Sequence, residues 1–136
     1  MLWTLKLCEQ EIQHCMNKTK VFVVTSTPDA IGDGHIFIID RPSGRLIHSL
    51  FNFHSHGIFG VQVYENSILA TADSWGTIKF HQIGDEIEPK LMHEEERYRG
   101  RGGHGFTHLD SSDSFLVSGS GRGELIGTDV SKLLFE

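Results

Sequence analysis

Long apolar runs, cysteine and positive charge are all scarce in this sequence, and each shortage excludes a class of protein. The longest apolar stretches, such as Val21-Phe22-Val23-Val24 and Ile36-Phe37-Ile38-Ile39, fall far short of the ~20 residues of a membrane span. The opening Met1-Leu2-Trp3-Thr4-Leu5-Lys6-Leu7-Cys8 meets Glu9 and Glu11 too early for the apolar core of a secretory leader. The chain therefore reads as intracellular, cytoplasmic or nuclear, with no membrane partner. Twelve Lys and Arg against eighteen Asp and Glu leave a formal charge of −6, the wrong sign for a dedicated nucleic-acid binder. The two cysteines, Cys8 and Cys15, signal neither a disulfide framework nor a zinc site and read as buried free thiols.

What is present is an ordinary globular composition, 38% hydrophobic and 22% charged over 136 residues. A chain of this length buries roughly 68% of its unfolded surface and suits one domain. Apolar segments rich in Val, Ile, Phe and Thr alternate with Gly, Asp, Ser, Asn and Pro clusters, the pattern of short antiparallel strands and tight turns. The strand candidates are 21–25, 36–39, 45–50, 59–64, 68–71, 77–81 and 115–118, with 125–128 a weaker one. Only Leu5 to Met16 could hold a turn or two of helix, and it reads equally well as two strands around Glu9-Gln10-Glu11. The fold class expected is all-β.

A repeat runs through these strands. Val24, Ala70 and Val117 close equivalent strand segments about 46 residues apart, and Gly34, Gly76 and Gly123 open the strands that follow. A fixed period of this size marks units that bury their faces only by stacking on one another. The second unit, His56-Gly57-Ile58-Phe59-Gly60-Val61-Gln62-Val63 and then Leu69-Ala70-Thr71-Ala72-Asp73-Ser74-Trp75-Gly76-Thr77-Ile78-Lys79-Phe80, resembles a WD40 repeat. Gly34 to Asp40 with Pro42-Ser43-Gly44-Arg45-Leu46-Ile47, and Gly103-His104 with Phe115-Leu116-Val117-Ser118-Gly119-Ser120 and Asp129-Val130, are similar to parts of the same pattern.

The resemblance implies a single WD40-like β-propeller segment over 1–136, with about three four-stranded antiparallel units at 1–53, 54–97 and 98–136. A closed propeller takes at least four blades. The ring is therefore expected to be incomplete, or closed by a homodimer or by another chain. The family's terminal Trp-Asp is replaced by Ile39-Asp40, His81-Gln82 and Thr128-Asp129. Where the family tends to carry an Asp that bonds the first His of the unit, the turns hold Ser74 and Gly121. The polar network of these blades is thus expected to be incomplete, leaving packing to hold them.

No G-x-S-x-G, H-E-x-x-H or P-loop occurs. Gly32-Asp33-Gly34 and Gly100-Arg101-Gly102-Gly103 join no strand to a helix, so they lack the dipole that cradles phosphate. His54 and His56, or His104 and His108, are spaced to share a metal, but one His per unit is already implied by the repeat, and no metal or cofactor is expected. Arg97-Tyr98-Arg99-Gly100-Arg101-Gly102-Gly103-His104 resembles a short RGG segment, offset by Glu94-Glu95-Glu96, so it reads as a linker between units. Functional residues of repeat folds gather on loop faces, and exposed Trp and Arg dominate interfaces. Trp75, Arg122, His54, Arg99 and Arg101 are therefore the candidate partner-binding residues. The function expected is a non-catalytic protein-protein interaction scaffold or adaptor within a multiprotein complex. The alternative is a propeller-type hydrolase using Asp33, Asp73, His54 and His104.

Overall fold

The computed structural model describes residues 2–7, 10–26, 34–54, 57–64, 67–73, 76–84, 88–96, 106–112, 115–120 and 125–130. Eleven strands are described: β1 (Gln10–Met16), β2 (Lys20–Ser26), β3 (Gly34–Asp40), β4 (Leu46–His54), β5 (Ile58–Tyr64), β6 (Ile68–Asp73), β7 (Thr77–Gln82), β8 (Lys90–Glu96), β9 (Phe106–Ser112), β10 (Phe115–Ser120) and β11 (Leu125–Asp129). They form three antiparallel meanders, β1-β2-β3-β4, β5-β6-β7-β8 and β9-β10-β11. The third sheet has three strands among the described residues, one fewer than the sequence reading assigns to each unit. Strand β5 lies beside both β1 and β9, so the first strand of each sheet faces the common centre. These are β-propeller blades.

Alternation builds the stack. In β2 and β3, Phe22, Val24, Ile36 and Ile38 point to one face and meet Ile58, Val61 and Leu69 of sheet 2 and Ile83 just past β7. In β6 and β7, Ile68, Ala70, Ala72, Ile78 and Phe80 turn the other way and meet Leu116 and Val130 beside sheet 3. The remaining face of sheet 1, Val21, Val23, Phe37 and Ile39, packs under Trp3, Leu5 and Leu7 of the N-terminal segment. Residues 2–7, of which 5–7 fall in the stretch read from sequence as possible helix or strand, belong to no sheet. Strand β1 takes up Gln10–Met16 of that stretch, and the Oε1 of its Gln13 accepts the Val61 N–H at 2.7 Å, tying the first strands of two sheets together.

Two turns show why glycine recurs. Gly44 sits at φ +74°, its N–H donating to the Asp40 carbonyl at 2.8 Å. The Asp40 carboxylate accepts from the Ser43 N–H at 3.1 Å and from the Ser43 hydroxyl, which holds it below the usual carboxylate range. Gly76, at φ +99°, closes the β6–β7 turn on the Asp73 carbonyl. Both conformations are ones that L side chains resist.

Candidate functional site

The β6–β7 turn leads to a buried polar cluster between sheets 1 and 2. His54 ends β4, while Thr71 and Asp73 project from β6 toward it on the alternate positions of a strand. Its Nδ1 lies 2.9 Å from Asp73 Oδ2 and its Nε2 lies 2.7 Å from Thr71 Oγ1. The second Asp73 oxygen accepts the Thr77 N–H at 3.0 Å, so one carboxylate both closes its own turn and holds the neighbouring sheet. Burial lowers the His54 pKa against the opposing pull of Asp73. A neutral ring then has one consistent arrangement: Nδ1–H donates to Asp73, and Nε2 accepts from the Thr71 hydroxyl.

This corrects two expectations. His54 was placed on the partner-binding face, but it has no exposed surface and both ring nitrogens are engaged internally. The polar network, expected to fail at Ser74, is held by Asp73 one position earlier, and the histidine that enters it is His54. The network described here has three members, His54, Thr71 and Asp73. β7 ends in His81-Gln82 instead of the family's Trp-Asp.

The order Thr–His–Asp also has the connectivity of a nucleophilic triad. Chemistry needs access, however, and Thr71 and His54 are 0% exposed and Asp73 only 2%. All three side chains are thus closed off from solvent in the described structure, and their bonds join β4 of sheet 1 to β6 of sheet 2. Beside them, Lys79 Nζ donates to the Phe53 carbonyl at 3.0 Å and the His81 ring stacks on Phe53 at 4.4 Å. Burial, with the nearby His54 and Lys79 charges, pushes the His81 pKa down to about 4. Its Nδ1 is buried without a hydrogen-bond partner, which a protonated ring could not tolerate.

Trp75, Arg122, Arg99 and Arg101 lie outside the described residues, as do Asp33 and His104. His108 falls in β9, where a spacing of four does not put two side chains on one helical face. Among the described residues no three His, Cys, Asp or Glu side chains gather as a metal site. Cys15 is a free thiol whose burial pushes its pKa up to about 12, far from a reactive thiolate; Cys8 is outside the described residues.

The surfaces that stand out are the two ends of the stack, which the sequence reading raised only as open blades. At one end, Trp3, Leu5 and Leu7 cover sheet 1 incompletely and leave a groove of about 580 Å³, bordered by His14, Met16 and Arg41. The Trp3 indole N–H donates to the Arg41 carbonyl at 2.7 Å. At the other end, Phe115 is 49% exposed, Val117 36% and Leu125 75%. The Phe115 ring lies over Gly127, where any Cβ would meet it at 2.8 Å. Their side of sheet 3, which also carries Asp129, is open among the described residues.

Neither a protein-family profile nor any curated protein sequence matches this chain. Solved structures do resemble its fold. The computationally designed protein Ika8 superposes with a TM-score of 0.63 at 20% identity, over 88% of this chain and 33% of Ika8. The β-propeller domain of Cps50 (Swd1) from Myceliophteria thermophila gives 0.55 at 15%, over 82% and 40%. KlAtg21, solved in complex with the coiled coil of AgAtg16, gives 0.57 at 15%, over 79% and 35%. The chain thus spans between a third and two fifths of these three proteins. The fold is a β-propeller one.

Proposed function

We propose that this chain is a non-catalytic, WD40-like propeller segment that works as a protein-protein interaction scaffold or adaptor in a multiprotein complex. The observation that carries the reading is the exposed Phe115, Val117 and Leu125 on the end of a stack of propeller blades, since exposed apolar surface of this kind marks association sites. Closure of the His54–Asp73–Thr71 cluster to solvent weighs against the hydrolase alternative. A β-propeller relative in fold, KlAtg21, is known in complex with a coiled coil, which supports a protein partner. Trp75, Arg122, Arg99 and Arg101 are proposed as loop-face contacts. The test is quantitative cross-linking and affinity capture with the tagged chain. Recovery of a near-stoichiometric protein that falls several-fold for Trp75→Ala or Arg122→Ala, with unchanged circular dichroism, is expected. Turnover of ester, peptide or phosphoester substrates that His54→Ala abolishes without unfolding the chain would overturn the reading.

A further inference from the structure

The three positions that define the repeat have different fates. Val24 on sheet 1 and Ala70 on sheet 2 are 0% exposed beneath the next sheet, whereas their equivalent Val117 on sheet 3 is 36% exposed. The neighbouring strands agree: Ile36 and Ile78 are 0% exposed, and Leu125, the same two residues past its glycine, is 75% exposed. Sheet 3 therefore presents for a third time the face that the chain has already used twice as an interface, uncovered among the described residues.

We propose that a second copy of this chain covers that face with the trailing side of its own sheet 1, head to tail, displacing its N-terminal strap. A blade's leading face needs a trailing face, and this chain carries a spare one in Val21, Val23, Phe37 and Ile39. The strap leaves these four only 3–8% exposed, but a groove of about 580 Å³ remains between it and the sheet. Charge matches as well. Asp129 shares the exposed face with Phe115 and Leu125 and ends β11, while Arg41 follows the end of β3 and borders the groove. Stacking as the inner sheets stack puts these opposite charges on the same rim. Two copies supply six sheets, within the four to eight blades of closed propellers, which three do not reach. A heterologous contact that closes in this way forms a ring, with each copy giving one face and receiving one.

This inference rests on the propeller reading of the chain. Its test is light scattering on a dilution series of the wild type, Leu125→Glu, Met16→Glu and Trp3→Ala, with circular dichroism on each. Met16 and Leu125 are 46% and 75% exposed, so both charge substitutions are compatible with the fold. The wild type is expected at twice 15.3 kDa. Leu125→Glu and Met16→Glu should each associate at least about tenfold more weakly, and mixing the two should restore a heterodimer through the one undamaged contact. Loosening the strap in Trp3→Ala should strengthen association. A wild type that stays monomeric, a species larger than two copies, or a Met16→Glu variant as dimeric as wild type would overturn the proposal. A folded monomer would leave the capture experiment with another protein unaffected, so the two readings fail separately.

Discussion

The two seams between sheets are built from different chemistry. Between sheets 1 and 2, Phe22, Val24, Ile36 and Leu69 share the space with a polar cluster of His54, Thr71, Asp73 and Lys79. Between sheets 2 and 3 the described contact is apolar, with Ala70 and Ala72 letting the sheets approach and Phe80, Ile78 and Leu116 filling the gap. An apolar seam tolerates sliding because dispersion has no fixed partners. A buried hydrogen bond fails at once if its partners move, so the first seam sets register while the second contributes burial.

The largest effect expected is at the apolar seam. Phe80→Ala removes a fully buried ring and should cost about 4 kcal/mol in denaturant unfolding, with sheet 3 losing amide protection first in hydrogen exchange. Asp73→Ala, at the polar seam, leaves the His54 Nδ1–H and the Thr77 N–H without acceptors. Each orphaned buried donor costs 1–3 kcal/mol, so a loss of about 3 kcal/mol is expected. If Asp73→Ala were harmless, water or Ser74 would have to replace the carboxylate, and the contrast between the seams would collapse.

Acid sharpens the same contrast. His54 and His81 both have folded pKa values below the ordinary 6.5, His81 at about 4. Protonation therefore favours the unfolded chain: the stability of the neutral rings is intact above pH 6.5 and drains as pH falls toward 4. For His81 the difference between 6.5 and 4 corresponds to about 3 kcal/mol at most. Equilibrium unfolding measured from pH 7.5 to 4 should show this fall, and His81→Phe, which keeps the stack on Phe53, should flatten it. An unchanged slope in His81→Phe would mean that other groups carry the acid sensitivity.

Much of this architecture was legible where strands are half or fully buried. Val21-Phe22-Val23-Val24 and Ile36-Phe37-Ile38-Ile39 announce strands because both of their faces are covered. Strand β8, Lys90-Leu91-Met92-His93-Glu94-Glu95-Glu96, was missed because it is outermost in its sheet and exposed along nearly its whole length, so nothing selects an apolar alternation; its charges suit an edge that must refuse further pairing. Strand β9 was missed because Phe106-Thr107-His108-Leu109-Asp110-Ser111-Ser112 holds a single β-branched residue, Thr107, and ends in turn-favouring Asp and Ser. The network was misplaced by one residue in the turn, since adjacent positions on a strand point to opposite faces and linear spacing does not say which carboxylate faces the histidine. A clue lay in Thr71 and Asp73, two apart and hence on one face. Three units implied an open ring, but which residues stand uncovered left no signal, because Val24, Ala70 and Val117 are equivalent in sequence and differ only in what stacks on them.

The smallest effect expected lies at the strap, where the comparison extends from the inner seams to the outer face of sheet 1. A Cβ at Gly44 would fall on the Trp3 ring, and the φ of +74° there already resists any side chain. Gly44→Ala should therefore cost about 1 kcal/mol in global stability, from backbone strain at one turn. Its local consequence is larger, because the Trp3 indole must leave its bond to the Arg41 carbonyl and the strap loses the contact that orients it. Limited tryptic cleavage at Lys6 should be faster in Gly44→Ala than in the wild type, while β2 and β3 keep their amide protection in hydrogen exchange. Loss of protection in β2 alongside the faster cleavage would mean that Trp3, Leu5 and Leu7 are part of the core of sheet 1 and not a cover laid over it, and the outer face would then be a third true seam.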